Sequence, residues 1–347
     1  MQIPNVDMPY FLKIESGIIE NIIPILKEHF PPETNAILLS DDVVYNKYGK
    51  IIYDQVSEYF SLESVEIIKS NKLKRCFKLA RTIFEKNIDL VIGLGGGRVL
   101  DIGKHASFIS KKKFISIPTA VAHDGIASPI AVLQTKDGVK SLGSHVPSGI
   151  LIDLDVILES PSQLTKAGIG DTLSNFTAIL DWKYAASKDQ IKTNDFAILL
   201  SITAFNALIH YKNPSLSDVN FIRQLAESII LSGLAMNLSG DSRPCSGSEH
   251  LISHSMDRFK KNNLHGIQVA ASSIISAYLH GKKHQKLISF LDQFEIPYNI
   301  SHLGFSREEF IEVMQNAMNT RPNRYTILNY TDLSSNNLSL IFNKLYS

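Results

Sequence analysis

The region that decides the fold is residues 88–118, IDLVIGLGGGRVLDIGKHASFISKKKFISIP. Its first part, Ile88 to Gly93, has the apolar, β-branched composition of a buried strand, and residues 99–109 have helical spacing. A second apolar run, Phe114 to Pro118, is ended by a proline. A strand, a glycine-rich turn, a helix and a strand in this order predict a βαβ unit.

Further strand-like runs lie outside this unit, at residues 35–42, 130–134 and 149–153. Because strands that alternate with helices normally pair in parallel, we expect a Rossmann-like parallel sheet with a ligand at the carboxyl ends of its strands. From about Ser160 the pattern changes to long amphipathic stretches at residues 195–209, 218–231, 266–279 and 307–318. The predicted fold is an α/β N-terminal domain over residues 1–160 and an all-α C-terminal domain over residues 161–347.

Composition excludes several classes of protein. Lys and Arg number 35 against 34 Asp and Glu, so the net charge of +1 creates no broad field for nucleic acid or anionic lipid. The two cysteines, Cys76 and Cys245, cannot build a disulfide framework, which suits a reducing cytoplasm. The N-terminus lacks the basic and apolar segments of a leader, so none is expected. The sequence contains no run of about 18 apolar residues, so membrane insertion is not expected either.

Gly93-Leu-Gly-Gly-Gly97 lies between the predicted strand and helix. Bare backbone N–H groups at a helix N-terminus can bind a phosphate closely, with Arg98 as a further partner or a solvent-exposed side chain. The stretch does not match G-x-G-x-x-G, because Arg98 and Leu100 replace the third glycine, and it lacks the P-loop pattern. A tight turn without a ligand is the alternative interpretation.

Two further polar segments follow predicted strands. Asp41 and Asp42 could hold the ribose hydroxyls of an adenosine, or could simply start a helix. In the small-residue loop 118–129, Asp124 is a candidate for substrate binding, although Asp-Gly is also a common turn. His123 is expected to make local hydrogen bonds.

The helical half contains a possible metal site. His250 and His254 are four residues apart and therefore share one helix face, and a turn at residues 262–263 could return His265 beside them. Two imidazoles and a carboxylate suit a catalytic Zn²⁺ or a similar ion, but surface or core histidines are the alternative. Arg243 and Lys183 are either anion partners or solvated side chains.

Several motifs, taken together, resemble the glycerol-1-phosphate dehydrogenase family. They are Gly-Gly-Gly-Arg98-Val-Leu-Asp101-Ile-Gly-Lys104, Ile117-Pro-Thr-Ala-Val-Ala-His-Asp124-Gly-Ile-Ala-Ser-Pro129, Gly170-Asp171, Ser242-Arg-Pro-Cys-Ser-Gly-Ser-Glu-His250-Leu-Ile-Ser-His254 and His265-Gly266. This family belongs to a larger group with polyol dehydrogenases, iron-type alcohol dehydrogenases and dehydroquinate synthases. The group implies a dehydroquinate synthase-like fold, with a nucleotide-binding α/β domain and a helical domain that binds metal and substrate.

The resemblance implies reversible, NAD(P)H-dependent reduction of dihydroxyacetone phosphate to sn-glycerol 1-phosphate, the step that sets the stereochemistry of archaeal-type lipids. It implies one divalent metal ion, with Zn²⁺ expected and Ni²⁺ or Fe²⁺ as alternatives, acting as a Lewis acid while the nicotinamide delivers hydride. The implied metal ligands are Asp171, His250 and His265. Asp124, Asp171 and His254 are the expected substrate-binding residues, and Asp124 and His254 are also the expected catalytic residues. The cofactor-binding residues are expected to be Asp41, Gly95, Gly96, Gly97, Arg98, Asp101, Thr119, Ala122 and Ser128.

One residue departs from the family pattern: Ile267 stands where a glutamate is expected, with Gln268 after it. Hydrogen bonding around the metal ligands is therefore expected to differ. Alternative functions are a dehydroquinate synthase-like cyclase or lyase that recycles NAD, another polyol dehydrogenase, and a non-catalytic nucleotide-binding protein. A homo-oligomer is expected by analogy with the relatives.

Overall fold

The computed structural model describes residues 8–188, 190–282 and 284–346. The sequence predicts no leader at the N-terminus, and residues 1–7 of that segment lie outside the described residues. Two compact units divide the chain, Met1–Pro161 and Ser162–Ser347. Both cysteines are buried.

The first unit is built on a parallel sheet. The strands of this unit are β1 (Phe11–Glu15), β2 (Asn35–Ser40), β3 (Ser61–Ile67), β4 (Leu90–Gly95), β5 (Lys113–Pro118), β6 (Ile130–Thr135), β7 (Gly138–Gly143) and β8 (Gly149–Asp153). Six of them form the parallel sheet, in the order β1-β8-β5-β4-β2-β3. Every residue of β4 and β8 is buried, as expected for strands covered on both faces. The predicted Rossmann-like parallel sheet is confirmed.

The predicted strand at residues 130–134 exists, but it lies outside the parallel sheet. β6 pairs antiparallel with β7 in a separate hairpin, with Thr135 opposite Gly138 across a two-residue turn. Gly138 has a φ of 108°, a conformation that favours glycine. The expectation that all the predicted strands alternate with helices in one sheet was therefore wrong for this segment.

Helices surround the sheet of the first unit. They are α1 (Ile23–Leu26), α2 (Asp42–Val44), α3 (Lys50–Tyr59), α4 (Leu73–Glu85), α5 (Gly97–Ser110) and α6 (Leu154–Leu158). One core cluster joins Ile52 and Val56 of α3 to Leu38, Ile92 and Ile115 of the sheet. Burial of these apolar side chains fixes the central strands and thereby the loops at their carboxyl ends.

The second unit is helical over its described residues, as predicted. Its helices are α7 (Ser162–Ser187), α8 (Asp195–Ile209), α9 (Val219–Ser239), α10 (Ser248–Met256), α11 (His265–Leu279), α12 (Gln285–Asp292), α13 (Arg307–Ala317) and α14 (Ser335–Tyr346). α7 packs against α8, α10 and α11. No helix in the described ranges combines the length and apolar character of a membrane span.

Local capping explains where several of these helices begin. The Asn194 side chain accepts hydrogen bonds from the first turn of α8, Asp218 does so for α9, and Ser306 forms a capping box with Glu309 in α13. The four amphipathic stretches predicted in this half correspond to α8, α9, α11 and α13. Residues on all sides of α7 are buried, and so is every residue of α11 from Gly266 to Ala277, so the amphipathic pattern expected of residues 266–279 was wrong and neither helix has a clear polar face.

Candidate functional site

The glycine turn joins β4 to α5 in the first unit. β4 ends at Gly95 and α5 begins at Gly97, with Gly96 as its N-cap. A Cβ atom on Gly97 would overlap the ring of His123, whereas one on Gly96 would meet no atom within 4 Å. The N-terminus of α5 therefore has open space at Gly96, where backbone N–H groups and the helix dipole favour an anion.

The loop that follows β5 lies beside this turn. The backbone N–H of Thr119 donates to the carbonyl oxygen of Gly95 at 3.2 Å, so two predicted cofactor residues are neighbours. Ala122 is half-buried in the same loop, and Ser128 is buried at its far end. The N–H of Ser128 donates to the backbone oxygen of Asp124 at 2.9 Å, which closes the short 3-10 turn Asp124–Ile126.

His123 makes the local hydrogen bond expected of it. Its Nδ1 accepts from the N–H of Gly125 at 3.0 Å, and its Nε2 therefore carries the proton in the neutral ring. The side chain of Asp124 is half-buried next to this turn. A substrate contact of Asp124 remains a prediction.

Asp101 is buried and holds two parts of the first unit together. One carboxylate oxygen accepts from the N–H of Val132 in β6 at 3.1 Å, and the other lies 3.5 Å from Nζ of Lys104. Lys104 is fully buried and donates to the carbonyl oxygen of Gly125 at 2.6 Å. Burial lowers the pKa of Lys104, and the negative charges of Asp101 and Asp124 oppose that shift. Both residues thus support the loop of Asp124, a role that the sequence analysis did not assign to Lys104.

Asp41 lies near Arg98, since β2 and β4 are neighbours in the sheet. Oδ1 of Asp41 accepts from the N–H groups of Val43 and Val44 at 3.1 and 3.0 Å, which is the helix-start role left open as an alternative. Oδ2 lies 3.9 Å from Nη2 of Arg98, whose side chain is 49% exposed. The structure places both residues near the glycine turn, and Asp42 is exposed.

The three predicted metal ligands converge in the second unit. Asp171 lies on α7, His250 on α10, and His265 is the first residue of α11. One potential ligand atom from each lies within 4.8 Å of the other two. Asp171 and His250 are buried, and Nε2 of His250 lies 3.6 Å from Oδ1 of Asp171.

Two glycines next to these ligands allow α7 and α11 to approach closely. A Cβ on Gly170 would overlap the carbonyl oxygen of Gly266, and a Cβ on Gly266 would overlap the backbone of Ala167. The motifs Gly170-Asp171 and His265-Gly266 thus each pair a ligand with a glycine that lets the helices meet. This packing brings Asp171 and His265 together.

A carboxylate lies close to each ring nitrogen of His250. Nδ1 lies 3.0 Å from Oε1 of Glu249, which also accepts from the N–H of Gly247 at 2.5 Å, while Oε2 of Glu249 accepts from Thr177 at 2.8 Å. Burial lowers the pKa of His250, but hydrogen bonds to Asp171 and Glu249 outweigh it and raise the pKa to about 9. The site therefore stabilises positive charge. Because Nδ1–H of His250 donates to Glu249, the ring is oriented with Nε2 towards Asp171.

A hydroxyl and an amide orient His265. Ser253 donates to Oε1 of Gln268 at 3.0 Å, so its oxygen is left to accept from Nδ1–H of His265 at 3.2 Å. This arrangement leaves Nε2 of His265 as the potential ligand. Ile267 is buried in α11, and the amide of Gln268 supports the histidine through Ser253. Where the family pattern has a glutamate and this chain has Ile267, the groups that hydrogen-bond behind His265 are the neutral side chains of Ser253 and Gln268.

His254 completes the predicted cluster. Its ring stacks on that of His265, with centroids 5.5 Å apart and an interplanar angle of 16°, and lies 6.2 Å from the ring of His250. Nδ1 lies 3.7 Å from Asp257, and Nε2 lies 3.4 Å from Nη2 of Arg321. Burial lowers the pKa of His254, and the positive charge of Arg321 adds to the effect.

Sequence reasoning missed Arg321 and Arg324, which lie next to this cluster. Both stand in the segment Arg321-Pro-Asn-Arg324, which follows α13 and gives no helical or strand pattern. Arg243, considered as an anion partner, lies beside them and forms an ion pair with Asp241 at 3.4 Å. Lys183 is exposed on α7. Two arginines separated by only two residues in a polar loop were the available signal.

Comparison with known proteins agrees with this geometry. Residues 13–161 match the family model described as iron-containing alcohol dehydrogenase. The whole chain resembles the crystal structure of glycerol dehydrogenase from Schizosaccharomyces pombe, with a TM-score of 0.80 and 19% identity over 97% of this chain and 89% of that one. The fold is therefore that of the iron-type alcohol and polyol dehydrogenases, in agreement with the predicted fold class.

Two relatives with higher sequence identity define the family. The glycerol-1-phosphate dehydrogenase [NAD(P)+] of Aeropyrum pernix is 32% identical over 93% of this chain and 92% of its own length. The enzyme of the same name from Thermococcus sibiricus is 35% identical over 85% of this chain and 84% of its own length. The chain belongs to the glycerol-1-phosphate dehydrogenase family, and the resemblance inferred from its motifs is confirmed.

Proposed function

We propose that the protein catalyses the reversible, NAD(P)H-dependent reduction of dihydroxyacetone phosphate to sn-glycerol 1-phosphate. The observation that carries this proposal is the 32% identity with the Aeropyrum pernix enzyme over 93% of the chain. The convergence of Asp171, His250 and His265 supports it from the structure, since these are the ligands that the motifs imply. The product would be the backbone of archaeal-type glycerolipids.

The first unit is proposed to bind NAD(P)H. The N-terminus of α5 at residues 95–97 would hold the pyrophosphate, with Arg98 contributing positive charge. Oδ2 of Asp41 would accept from a ribose hydroxyl, because its Oδ1 already caps α2. Thr119, Ala122 and Ser128 would line the rest of the site, with Asp101 supporting the loop. The bound nicotinamide supplies the hydride.

Asp171, His250 and His265 are proposed to hold one divalent metal ion. A carboxylate oxygen and two imidazole nitrogens are a suitable donor set for Zn²⁺, Ni²⁺ or Fe²⁺. Glu249 and Ser253 hold the outer nitrogens of the two histidines, as in other metal sites where a hydrogen bond fixes the tautomer of a ligand. An ion held there would act as a Lewis acid towards the substrate carbonyl.

His254 is proposed to bind the substrate and to relay the proton that the product oxygen needs. Its lowered pKa favours the neutral ring, which can accept a proton at one nitrogen and release one from the other. Asp257 lies nearest Nδ1, and Arg321 lies nearest Nε2. Asp124 and Asp171 are proposed to contact the substrate as well.

A steady-state assay tests this function. Purified protein of measured metal content is given dihydroxyacetone phosphate with NADH or NADPH, and the chirality of the product is determined. We expect stoichiometric oxidation of the reduced cofactor and formation of sn-glycerol 1-phosphate. The proposal fails if the cofactor is not consumed, or if the product is sn-glycerol 3-phosphate. Phosphate release without net cofactor oxidation would indicate a cyclase or lyase instead.

Two further proposals are a homo-oligomeric assembly, which is expected from the family resemblance, and a cytoplasmic location, which is expected from the scarcity of cysteine. Light scattering on the purified protein measures the mass of the assembly. A mass equal to that of one 38.6 kDa chain at micromolar concentration would contradict the first of them.

A further inference from the structure

Three arginines gather on one side of the predicted metal ligands. We call Arg243, Arg321 and Arg324 the arginine cluster. The guanidinium groups of Arg321 and Arg324 both donate to the hydroxyl oxygen of Ser242, at 3.2 and 2.9 Å. Two cations that share one acceptor repel each other, and partial burial strengthens that repulsion because it lowers the local dielectric.

The acceptors that hold the cluster include several neutral groups. Arg324 also donates to the carbonyl oxygen of Ser246 at 2.7 Å, and Arg321 lies 3.4 Å from the hydroxyl of the same residue. Burial lowers the pKa of Arg324 to about 10, and the charges of Arg321 and Arg243 contribute to this shift. The guanidinium groups nevertheless stay charged at neutral pH, so positive potential is concentrated between them.

The arginine cluster adjoins the catalytic candidates directly. Nη2 of Arg321 lies 3.4 Å from His254, whose ring stacks on that of His265. An anion held by Arg321 and Arg324 would therefore lie one side chain away from the ligands of the metal. In dihydroxyacetone phosphate, the phosphate is joined to the carbonyl carbon through a single CH₂–O link, so both ends of the substrate must be recognised close together.

We propose that Arg321 and Arg324, with the hydroxyl groups of Ser242 and Ser246, bind the phosphate of the substrate. This inference rests on the proposed function and adds the residues that select a phosphorylated ketone. Guanidinium groups pair with phosphate oxygens through two parallel N–H bonds, and each serine hydroxyl can donate a further bond while it accepts from arginine. Arg243 contributes positive potential but keeps its ion pair with Asp241.

The test compares substrates with and without the phosphate group. Wild type, R321M, R324M, R321K and R324K are assayed with dihydroxyacetone phosphate and with unphosphorylated dihydroxyacetone, and inorganic phosphate is used as a competitive inhibitor. Loss of a charged hydrogen bond should raise the KM for dihydroxyacetone phosphate about 10- to 100-fold. The inhibition constant of phosphate should rise to a similar extent, and the preference for the phosphorylated substrate should fall in proportion. R307M removes an exposed arginine from α13 and should change none of these values.

Several outcomes would overturn the proposal. One is an unchanged preference for the phosphorylated substrate in properly folded Met variants with wild-type metal content. Another is a selective rise in the KM for NADPH, which would assign the cluster to a cofactor phosphate. If the Met variants do not fold, R321K and R324K decide, because a lysine keeps the charge but loses the paired geometry, and an unchanged preference would count against the site.

Failure of the proposed function gives a different result. In that case the wild-type protein would not reduce dihydroxyacetone phosphate at all. Titration of inorganic phosphate into wild type and R324M, followed by calorimetry, would still measure the anion site. Tighter binding to wild type would support the site, and equal binding would overturn it.

Discussion

Gly170 of α7 and Gly266 of α11 are in such close contact that a Cβ on the first would overlap the carbonyl oxygen of the second. Each glycine is adjacent in sequence to a predicted metal ligand, Asp171 or His265. The convergence of the ligands therefore depends on backbone contact between two helices and cannot be produced by their side chains alone. This relationship explains why both motifs pair a ligand with a glycine.

Substitution of Gly170 by Ala should separate α7 from α11. The added methyl group meets backbone, which cannot rotate away, so we expect a loss of about 1–3 kcal/mol in the free energy of unfolding. Metal affinity should fall as well, because Asp171 moves relative to His265. Urea unfolding and metal analysis measure the two effects. G143A is the matched control, since a Cβ on Gly143 meets no atom within 4 Å; equal effects in the two variants would refute the explanation.

Removal of one ligand should abolish metal retention and turnover together. In H250A the carboxylates of Asp171 and Glu249 lose the imidazole that lies between them, and the remaining two ligands hold an ion weakly. We expect sub-stoichiometric metal by elemental analysis and loss of dihydroxyacetone phosphate reduction. H302A, which removes an exposed histidine, serves as the control. A metal-free H250A enzyme that worked at the wild-type rate would exclude the Lewis-acid role.

Much of the fold could be predicted because its central strands are buried on both faces. β2, β4, β5 and β8 are therefore continuous apolar runs. β1 and β3 are edge strands with exposed charged residues, such as Lys13 and Glu63, and their pattern is weak. The antiparallel pairing of β6 depends on a local turn, which alternation of strands and helices does not reveal.

The candidate site was only partly accessible from the residues alone. Helical spacing places His250 and His254 on one face, and a turn at residues 262–263 allows His265 to return beside them, but the inclusion of Asp171 required the family resemblance. Arg321 and Arg324 were missed because arginine is common on surfaces and the loop after α13 has no periodic pattern. Their significance depends on the contact of Arg321 with His254 and on the hydroxyl of Ser242 that both arginines share, and sequence spacing encodes neither of these tertiary contacts.

The hydroxyl of Ser253 should matter for metal affinity. In S253A, Nδ1 of His265 loses its acceptor and Gln268 loses its donor, so the ring loses the hydrogen bond that presents Nε2 as the potential metal ligand. Loss of such a support should weaken metal binding about 10- to 100-fold. S273A is a matched control on α11, because the buried hydroxyl of Ser273 donates to the carbonyl oxygen of Val269 in its own helix. Competition with a chelator measures the affinity, and equal constants for both variants would contradict the role.

The buried pair of Asp101 and Lys104 should show strong energetic coupling. K104M removes the hydrogen bond to Gly125 and leaves a buried carboxylate without its cation, so we expect the free energy of unfolding to fall by about 3–5 kcal/mol. D101N alone removes one of the two carboxylates whose charges favour the buried ammonium group and should also destabilise the protein. The double variant should lose less than the sum of the single losses, because neither charge is then left unpaired. Urea unfolding of the four proteins at pH 7 gives the coupling energy. Additive losses would show that the two side chains stabilise the loop of Asp124 independently.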